Sequence, residues 1–468
     1  MTWAPPRPEK ARIACEKRAK AMIIMNWGRA DNPVIQLGAI KSVWGNPTPE
    51  TFKKIPQITV ISITRTAGEY LKRLSQKGNV RVWLRAEATR EWVKAYQPIG
   101  ILRGREGLEE FVLVGGHLEA WGKTAICNSS GNSLTLELAR VLAKHRNKLR
   151  RSIIFAFWDG HEVAEAAGST WFVDTSWDEL RGNCIAYVNI DNPGIAETSI
   201  PIMHGVTIIK DFLENTVKEF WGEGEWHDAY KGGDESFFGI GIPYLSFYTG
   251  YTSEKLKELN WASLSPWIHS EADTLDKIDK ELFSKHLLFY TLLILRLCNA
   301  LVIPYNFVLV ADKLMQDLKE LNKLERRLNF SDLIKKTEKL KKVAEKMNEY
   351  RQKIEKCYEE FEDKEKIEEI THLLNKSLMK MSYELSHVLW SEAGRYGQDP
   401  YGYIIAQKPI PRLYVSIKKI TELDERDEDF KLWETKFIRE KNRVCDAIHN
   451  SIDYAELALA LVEKKLSS

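Results

Sequence analysis

Three apolar runs in the middle of the chain each end in polar residues able to do chemistry. Residues 111–116 (FVLVGG) run into His117 and Glu119, and residues 152–158 (SIIFAFW) into Asp159, Gly160, His161 and Glu162. Residues 184–190 (CIAYVNI) run into Asp191. Short unbroken apolar runs read as strands buried on both faces, and their alternation with helical segments predicts a mostly parallel α/β sheet. Residues 133–145 put apolar side chains at 134, 138, 141 and 142 on one helix face, and residues 207–221 form a second helix. Residues 232–238 (GGDESFF) lead into a fourth buried strand at 241–248. A polar loop at 265–277 carries His269 and precedes a long helix at 280–302. Ligands of such sheets bind beyond the carboxyl ends of the strands, so the three polar strand ends are expected to converge on one site.

The flanks have a different pattern. In residues 1–95, strands are expected at 19–26, 58–63 and 80–84 and a helix at 66–75, with proline turns between. Nothing there has catalytic spacing, which leaves an accessory α/β or β-sandwich module. Residues 305–468 are charged and mainly helical. Leu314, Leu318, Leu321 and Leu324 mark one helical face, 390–418 is expected to be irregular, and 424–466 to be helical again. The charge runs read as solvated faces. The apolar faces are left to pack on the sheet domain or on a second subunit.

Composition narrows the function. In 468 residues, 68 Lys+Arg stand against 66 Asp+Glu, a net charge of +2 that argues against a general nucleic-acid binder. Six cysteines are scattered without a CxxC pair, which fits reduced thiols in a cytoplasmic protein. The opening MTWAPPRPEKARIACEKR has no apolar core, so no signal peptide is expected. The apolar run 287–303 contains Arg296 and Asn299 and meets Pro304, which predicts a buried helix and no membrane span.

Taken singly, His117, Asp191 and His269 are as readily loop or cap residues as ligands. Together with Glu162 they give two imidazoles and two carboxylates at one rim, a donor set suited to zinc. Two zinc ions about 3.5–4 Å apart polarise a peptide carbonyl and the attacking water, and a nearby carboxylate usually serves as general base.

Four ordered motifs extend this reading: VLVGGHLEAWG…NSSGNSLTLELARVLA, RRSIIFAFWDGHE…AGSTWF, AYVNIDNPG and WIHSEADTLDKID. With KAMIIMNWG and the segment 44–74 upstream, they resemble the M28 zinc exopeptidases that carry a protease-associated domain, the group of glutamate carboxypeptidase II and the transferrin receptor. The resemblance implies an α/β zinc-exopeptidase fold with a mixed sheet flanked by helices. It divides the chain into a protease-associated-like unit at 1–95 shortened at its N-terminus, a peptidase-like domain at 96–304, and a helical dimerisation-like domain at 305–468. It further implies a peptide substrate, one or two zinc ions, and a homodimer formed through 305–468.

Carried over by position, His117 and Asp191 match the ligands of one ion and His269 the histidine of the other. Cys127 stands where the family has the carboxylate that joins the two ions, with Asn128 beside it as a neutral alternative. The family's general base and next ligand are a Glu-Glu pair. Counted forward from Trp158-Asp159, the pair here is His161 and Glu162; counted back from Gly168-Ser169, it is Glu162 and Val163. The forward count is preferred, with His161 as base or extra ligand. Glu119 replaces the family's Asp after the first His. A thiolate bridges through one atom at about 2.3 Å, where a carboxylate uses two oxygens at about 2.0–2.2 Å, so the metal pair would be reset. The glutamate-selective branch has arginines corresponding to 241–249, and this chain has none there or in 191–198. An apolar or aromatic terminal residue is the resulting expectation, with Phe247, Tyr248 and Trp267 as candidate pocket walls, Phe247 more readily a core residue, and Ile268 standing where that branch has a substrate-holding Tyr. Three functions follow: a zinc exopeptidase, a catalytically inactive dimeric binding homologue, and a single-zinc hydrolase. Metal content separates them.

Overall fold

The computed structural model describes residues 7–105, 110–360, 363–402 and 407–467. Its centre is a seven-stranded sheet in the order β3 (Ile99–Leu102), β5 (Ser152–Trp158), β4 (Phe111–His117), β6 (Cys184–Asn189), β9 (Tyr244–Gly250), β7 (Ile200–Gly205) and β8 (Glu225–Asp228). The four strands β5, β4, β6 and β9 run parallel. β3 and β7 are antiparallel to their neighbours β5 and β9, so the sheet is mixed only towards its edges. Every residue of β4, β5 and β6 is buried, which is why these stretches read as unbroken apolar runs. From β4 the chain moves outward to β5, then returns to β6 on the other side of β4. This reversal opens a crevice between the carboxyl ends of β4 and β6, where His117 and Asp191 lie.

Helix Gly131–Ala143 buries Leu134, Leu138 and Leu142 on the sheet, as its spacing predicted. Helix Lys280–Asn299 lies on Asp279, whose side chain caps the amides of Glu281 and Leu282. At its other end Arg151, fully buried, pairs with Glu110 at 2.7 Å and donates to the carbonyls of Cys298, Ala300 and Leu301. A buried guanidinium is tolerated there because its donors are met by a carboxylate and by helix-end carbonyls that lack intrahelical partners.

The helices Phe307–Leu324, Ser331–Cys357, Lys364–Leu389, Pro411–Thr421 and Glu428–Ser467 follow. Their apolar faces belong to the same buried core as the sheet. Tyr305 donates to the carbonyl of Ile185 and Ser382 to that of Gly241, so this region is joined to the sheet by hydrogen bonds as well as by packing. Residues 390–418, expected to be irregular, run into the helix Pro411–Thr421, which starts at a proline, the residue whose fixed φ suits a first turn.

In the N-terminal unit, β1 (Ala21–Met25) and β2 (Thr59–Ile63) pair in parallel, and helix Arg65–Lys77 packs beside β1. The strand expected at 80–84 is absent: residues 79–98 form no ladder before β3, and Trp83, Trp92 and Tyr96 are exposed. Alternating β-branched and aromatic residues make a strand only where a partner edge is in register. No helix among the described residues is long and apolar enough to cross a membrane.

Candidate metal centre

Each side chain at the crevice is delivered by a strand end or by a loop tied to one. His117 closes β4; its Nδ1 is 2.8 Å from the carbonyl of Glu119, which leaves Nε2 for the site. Gly116 before it has no room for a side chain, since a Cβ would lie 2.3 Å from the carbonyl of Ile190. That close approach brings the ends of β4 and β6 together, and Asp191 Oδ1 lies 3.4 Å from His117 Nε2.

Cys127 is in an irregular turn before helix Gly131–Ala143, and Asp273 fixes the turn. One carboxylate oxygen accepts from the amides of Ala125 (3.3 Å) and Ile126 (2.9 Å), and the other from the amide of Cys127 (3.1 Å). The Cys127 Sγ is then 3.5 Å from His117 Nε2, 3.4 Å from His269 Nε2 and 3.5 Å from Glu162 Oε1. His269 Nε2 and Glu162 Oε1 are 2.9 Å apart. The second oxygen of Glu162 accepts from Trp121 Nε1 at 2.7 Å, and its backbone amide donates to Glu119 Oε1 at 2.5 Å. Val163, the ligand position in the backward count, is exposed, while Glu162 lies among the donors.

Two overlapping ligand groups result, His117–Cys127–Asp191 and Cys127–Glu162–His269, and Cys127 is common to both. His161 forms a third group with His117 and Glu162. Its ring stacks on that of His117 with centroids 4.4 Å apart, and its Nδ1 is 3.3 Å from Asp234 Oδ1.

The electrostatics fit a cation. Burial opposes charge on His117 and His269, yet the Cys127 sulfur with Asp191 or Glu162 outweighs it and raises both imidazoles well above their usual range. Burial also opposes charge on His161, but Asp234 prevails and raises it to about 10. Burial works against the Glu162 carboxylate, and His269 and the other imidazoles still hold it below the usual range. Asp191 Oδ1 is buried with no hydrogen-bond partner. A cluster that draws protons onto three imidazoles and leaves a carboxylate oxygen unmet is one where a divalent cation can take the protons' place.

The other expected residues lie elsewhere. Asn128 turns away: its Nδ2 donates to Ile190 and its Oδ1 accepts from Gly131 and Asn192, so it braces the crevice floor. Strand alternation puts Phe247 against Phe289 in the core and Tyr248 on the opposite face, beside Tyr230 and Glu225. Ile268 is buried, and its carbonyl accepts from Gln36. Trp267 packs on a small cluster with Ile126 and Tyr251, under the Cys127 turn.

Sequence reasoning missed Trp121, Asp234 and Asp273, and it missed the contacts that the N-terminal unit makes with the site. From that unit, Leu37 N donates to the carbonyl of His269 (2.8 Å), Gly45 N to that of Glu165 (2.6 Å) and Lys41 Nζ to that of Ala164 (2.6 Å). These contacts go to main chain and leave no residue pattern behind them. Arg7 also reaches the site. It donates to Gln36 at 3.0 Å and feels the charges of Glu162 and Glu165, while its Nη1 is buried with no partner. The signals that could have found Asp273 and Trp121 are their places in SEAD and HLEAW, beside His269 and His117.

The α/β sheet thus gathers imidazole, carboxylate and thiol donors beyond its central strands, a set that could hold a metal ion. Residues 99–291 match the model of Peptidase family M28. Among curated relatives, the chain is similar to "Probable glutamate carboxypeptidase VP8" of Zea mays, 28% identical over 258 residues that cover 50% of this chain and 35% of the relative. It is also similar to "Aminopeptidase NAALADL1" of Rattus norvegicus, 27% identical over 242 residues, 44% of this chain and 32% of the relative. The chain thus spans about a third of the length of these relatives. Among solved structures it is similar to an aminopeptidase from Aneurinibacillus sp. strain AM-1, at 22% identity and TM-score 0.44, covering 63% of this chain and 66% of that one.

Proposed function

We propose that the centre is that of a metal-dependent exopeptidase holding two zinc ions. The observation that carries this is the shared position of Cys127, whose sulfur belongs to both ligand groups. In this reading His117, Cys127 and Asp191 would hold one ion, and Cys127, Glu162 and His269 the other. Zinc, when bound, supplies Lewis acidity towards a peptide carbonyl and makes water a nucleophile near neutral pH. The chain's own residues do the rest. Trp121 and the Glu162–Glu119 contact orient the Glu162 carboxylate, Asp273 holds the Cys127 turn, and His161 is the group placed to move a proton. The substrate is a peptide. The buried, unpartnered Nη1 of Arg7 supports reading of its carboxyl end, because a desolvated guanidinium is best met by a carboxylate.

Residues 1–95 as a protease-associated-like unit, dimerisation through 305–468 and a cytoplasmic setting complete the proposal. Leu432, Ile438, Leu457 and Leu461, exposed on the last helix, support the second of these, and six unpaired cysteines the third.

The test is zinc per chain by elemental analysis, with release of amino acids from a panel of free and end-blocked peptides. About two zinc ions and turnover are expected. A protein that takes up no zinc and cuts nothing overturns the proposal and leaves the inactive dimeric homologue, and one ion with turnover leaves the single-zinc hydrolase.

A further inference from the structure

Asp234 touches no member of the two ligand groups with Cys127, yet it is nearly fully buried at 1% exposure against the one proton-moving residue. Its Oδ1 is 3.3 Å from His161 Nδ1, at ion-pair distance, and that nitrogen is itself buried with no aligned hydrogen bond.

What surrounds Asp234 is a one-way chain of donors. Trp44 Nε1 can only donate, and it does so to Ser236 Oγ at 2.9 Å. Thr170 Oγ1 lies 3.0 Å from the same oxygen, and Ser169 Oγ 2.8 Å from it. Ser169 Oγ donates to Asp234 Oδ1 at 3.0 Å. Ser169 Oγ has two acceptors in reach, Asp234 Oδ1 at 3.0 Å and the carbonyl of Ala166 at 3.3 Å; with its proton on the nearer carboxylate, Ser236 donates to Ser169 and Thr170 to Ser236. Every donor points towards Asp234, an arrangement that stabilises its charge and fixes its place. The chain begins on Trp44, in the N-terminal unit, and ends at the imidazole.

We infer that Asp234 is a positioning residue for His161: it holds the ring by the Nδ1 side, which leaves Nε2 as the nitrogen that serves the reaction. This rests on the exopeptidase reading. It also assigns a task to the Trp44–Ser236–Ser169 chain, which carries the N-terminal unit's influence to the centre. A carboxylate that fixes an imidazole's orientation and tautomer is a recurrent device for a His acting on substrate.

The experiment uses the full chain loaded with zinc, in four forms: wild type, Asp234→Asn, His161→Ala and the double variant. Urea unfolding measures how the two residues are coupled, independently of activity. The unfolding constants of the single variants are expected to fail to multiply, by about fivefold or more. In kinetics, Asp234→Asn is expected to lower kcat about 10–100-fold with KM and zinc content within about twofold, and to lower it no further in the His161→Ala background. Asp234→Glu, which keeps the charge, should recover part of the loss and stands in if the Asn variant does not fold. Absence of coupling in unfolding overturns the inference. So does an equal kcat loss in both backgrounds, or a loss confined to KM or zinc. Coupling in a wild type that cuts no peptide sinks the exopeptidase reading and leaves the Asp234–His161 pairing standing.

Discussion

The amide of Leu37 donates to the carbonyl of His269 at 2.8 Å, so a residue of the N-terminal unit fixes the backbone of a residue in the metal-type cluster. His269 holds a left-handed φ of +57°, a conformation a non-glycine side chain keeps only when its surroundings impose it. Gln36, one residue earlier, holds the carbonyl of Ile268 at 3.2 Å.

Leu37→Pro removes that donor. It should cost about 1–2 kcal/mol of stability and weaken zinc binding, while Leu37→Ala, which keeps the amide, should leave zinc binding unchanged. Thermal unfolding and zinc titration compare the two; equal zinc affinities in both variants would refute a role for the amide.

Cobalt loaded in place of zinc should give a near-ultraviolet thiolate-to-metal charge-transfer band, because Cys127 Sγ lies within 3.5 Å of ligand atoms from both groups. Cys127→Ser should abolish the band. Cys127→Asp should abolish it too while keeping two ions per chain, since a carboxylate spans the pair with two oxygens. A band that survives in Cys127→Ser would place the thiolate elsewhere.

Arg7→Met should raise KM for peptides with a free carboxyl end about 10-fold or more and leave KM for amidated peptides unchanged. A uniform rise in both would reduce Arg7 to a packing residue.

Burial raises the pKa of Glu165 from 4.5 to about 8, against the opposing pull of His161 and Lys41. A carboxyl whose folded pKa is raised stays protonated in the folded protein while the unfolded chain ionises. Its contribution is therefore complete below about pH 4.5 and is lost as pH rises to about 8. Glu165→Gln should match the wild type at about pH 4 within error and exceed it at about pH 8 by on the order of 1–3 kcal/mol. Urea unfolding of the metal-free protein at both pH values checks this; an equal difference at the two pH values would mean that Glu165 is charged when folded.

Much of the sheet domain was legible because the information is local. Runs such as 152–158 are apolar throughout, and a strand covered on both faces needs nothing else to announce it. His117, Glu162 and Asp191 could be singled out for the same reason: each lies at or within four residues of the end of such a run, and strand ends in a parallel sheet share an edge. His269 had only its motif, since its loop is anchored from elsewhere.

Tertiary structure alone decided what those residues face. Strand alternation and the helix cover turned Tyr248 to the far side from Phe247, a choice the sequence pattern left open. The edge strands β3 and β8 are short and largely exposed, and β7 next to β8 is fully buried only at alternate positions, so their apolar signal is diluted. Asp234 and Asp273 look like ordinary loop acids in sequence. One becomes the partner of His161 and the other the clamp of the Cys127 turn only when segments 73 and 146 residues apart in the chain are folded against each other. The N-terminal unit was the least legible: Leu37 and Gly45 act through backbone amides that every residue has, and the side chains of Gln36, Lys41 and Trp44 meet partners more than a hundred residues further on. Side-chain type determined which strands and ligands the chain offers; long-range main-chain hydrogen bonding, which composition does not encode, determined how they are held.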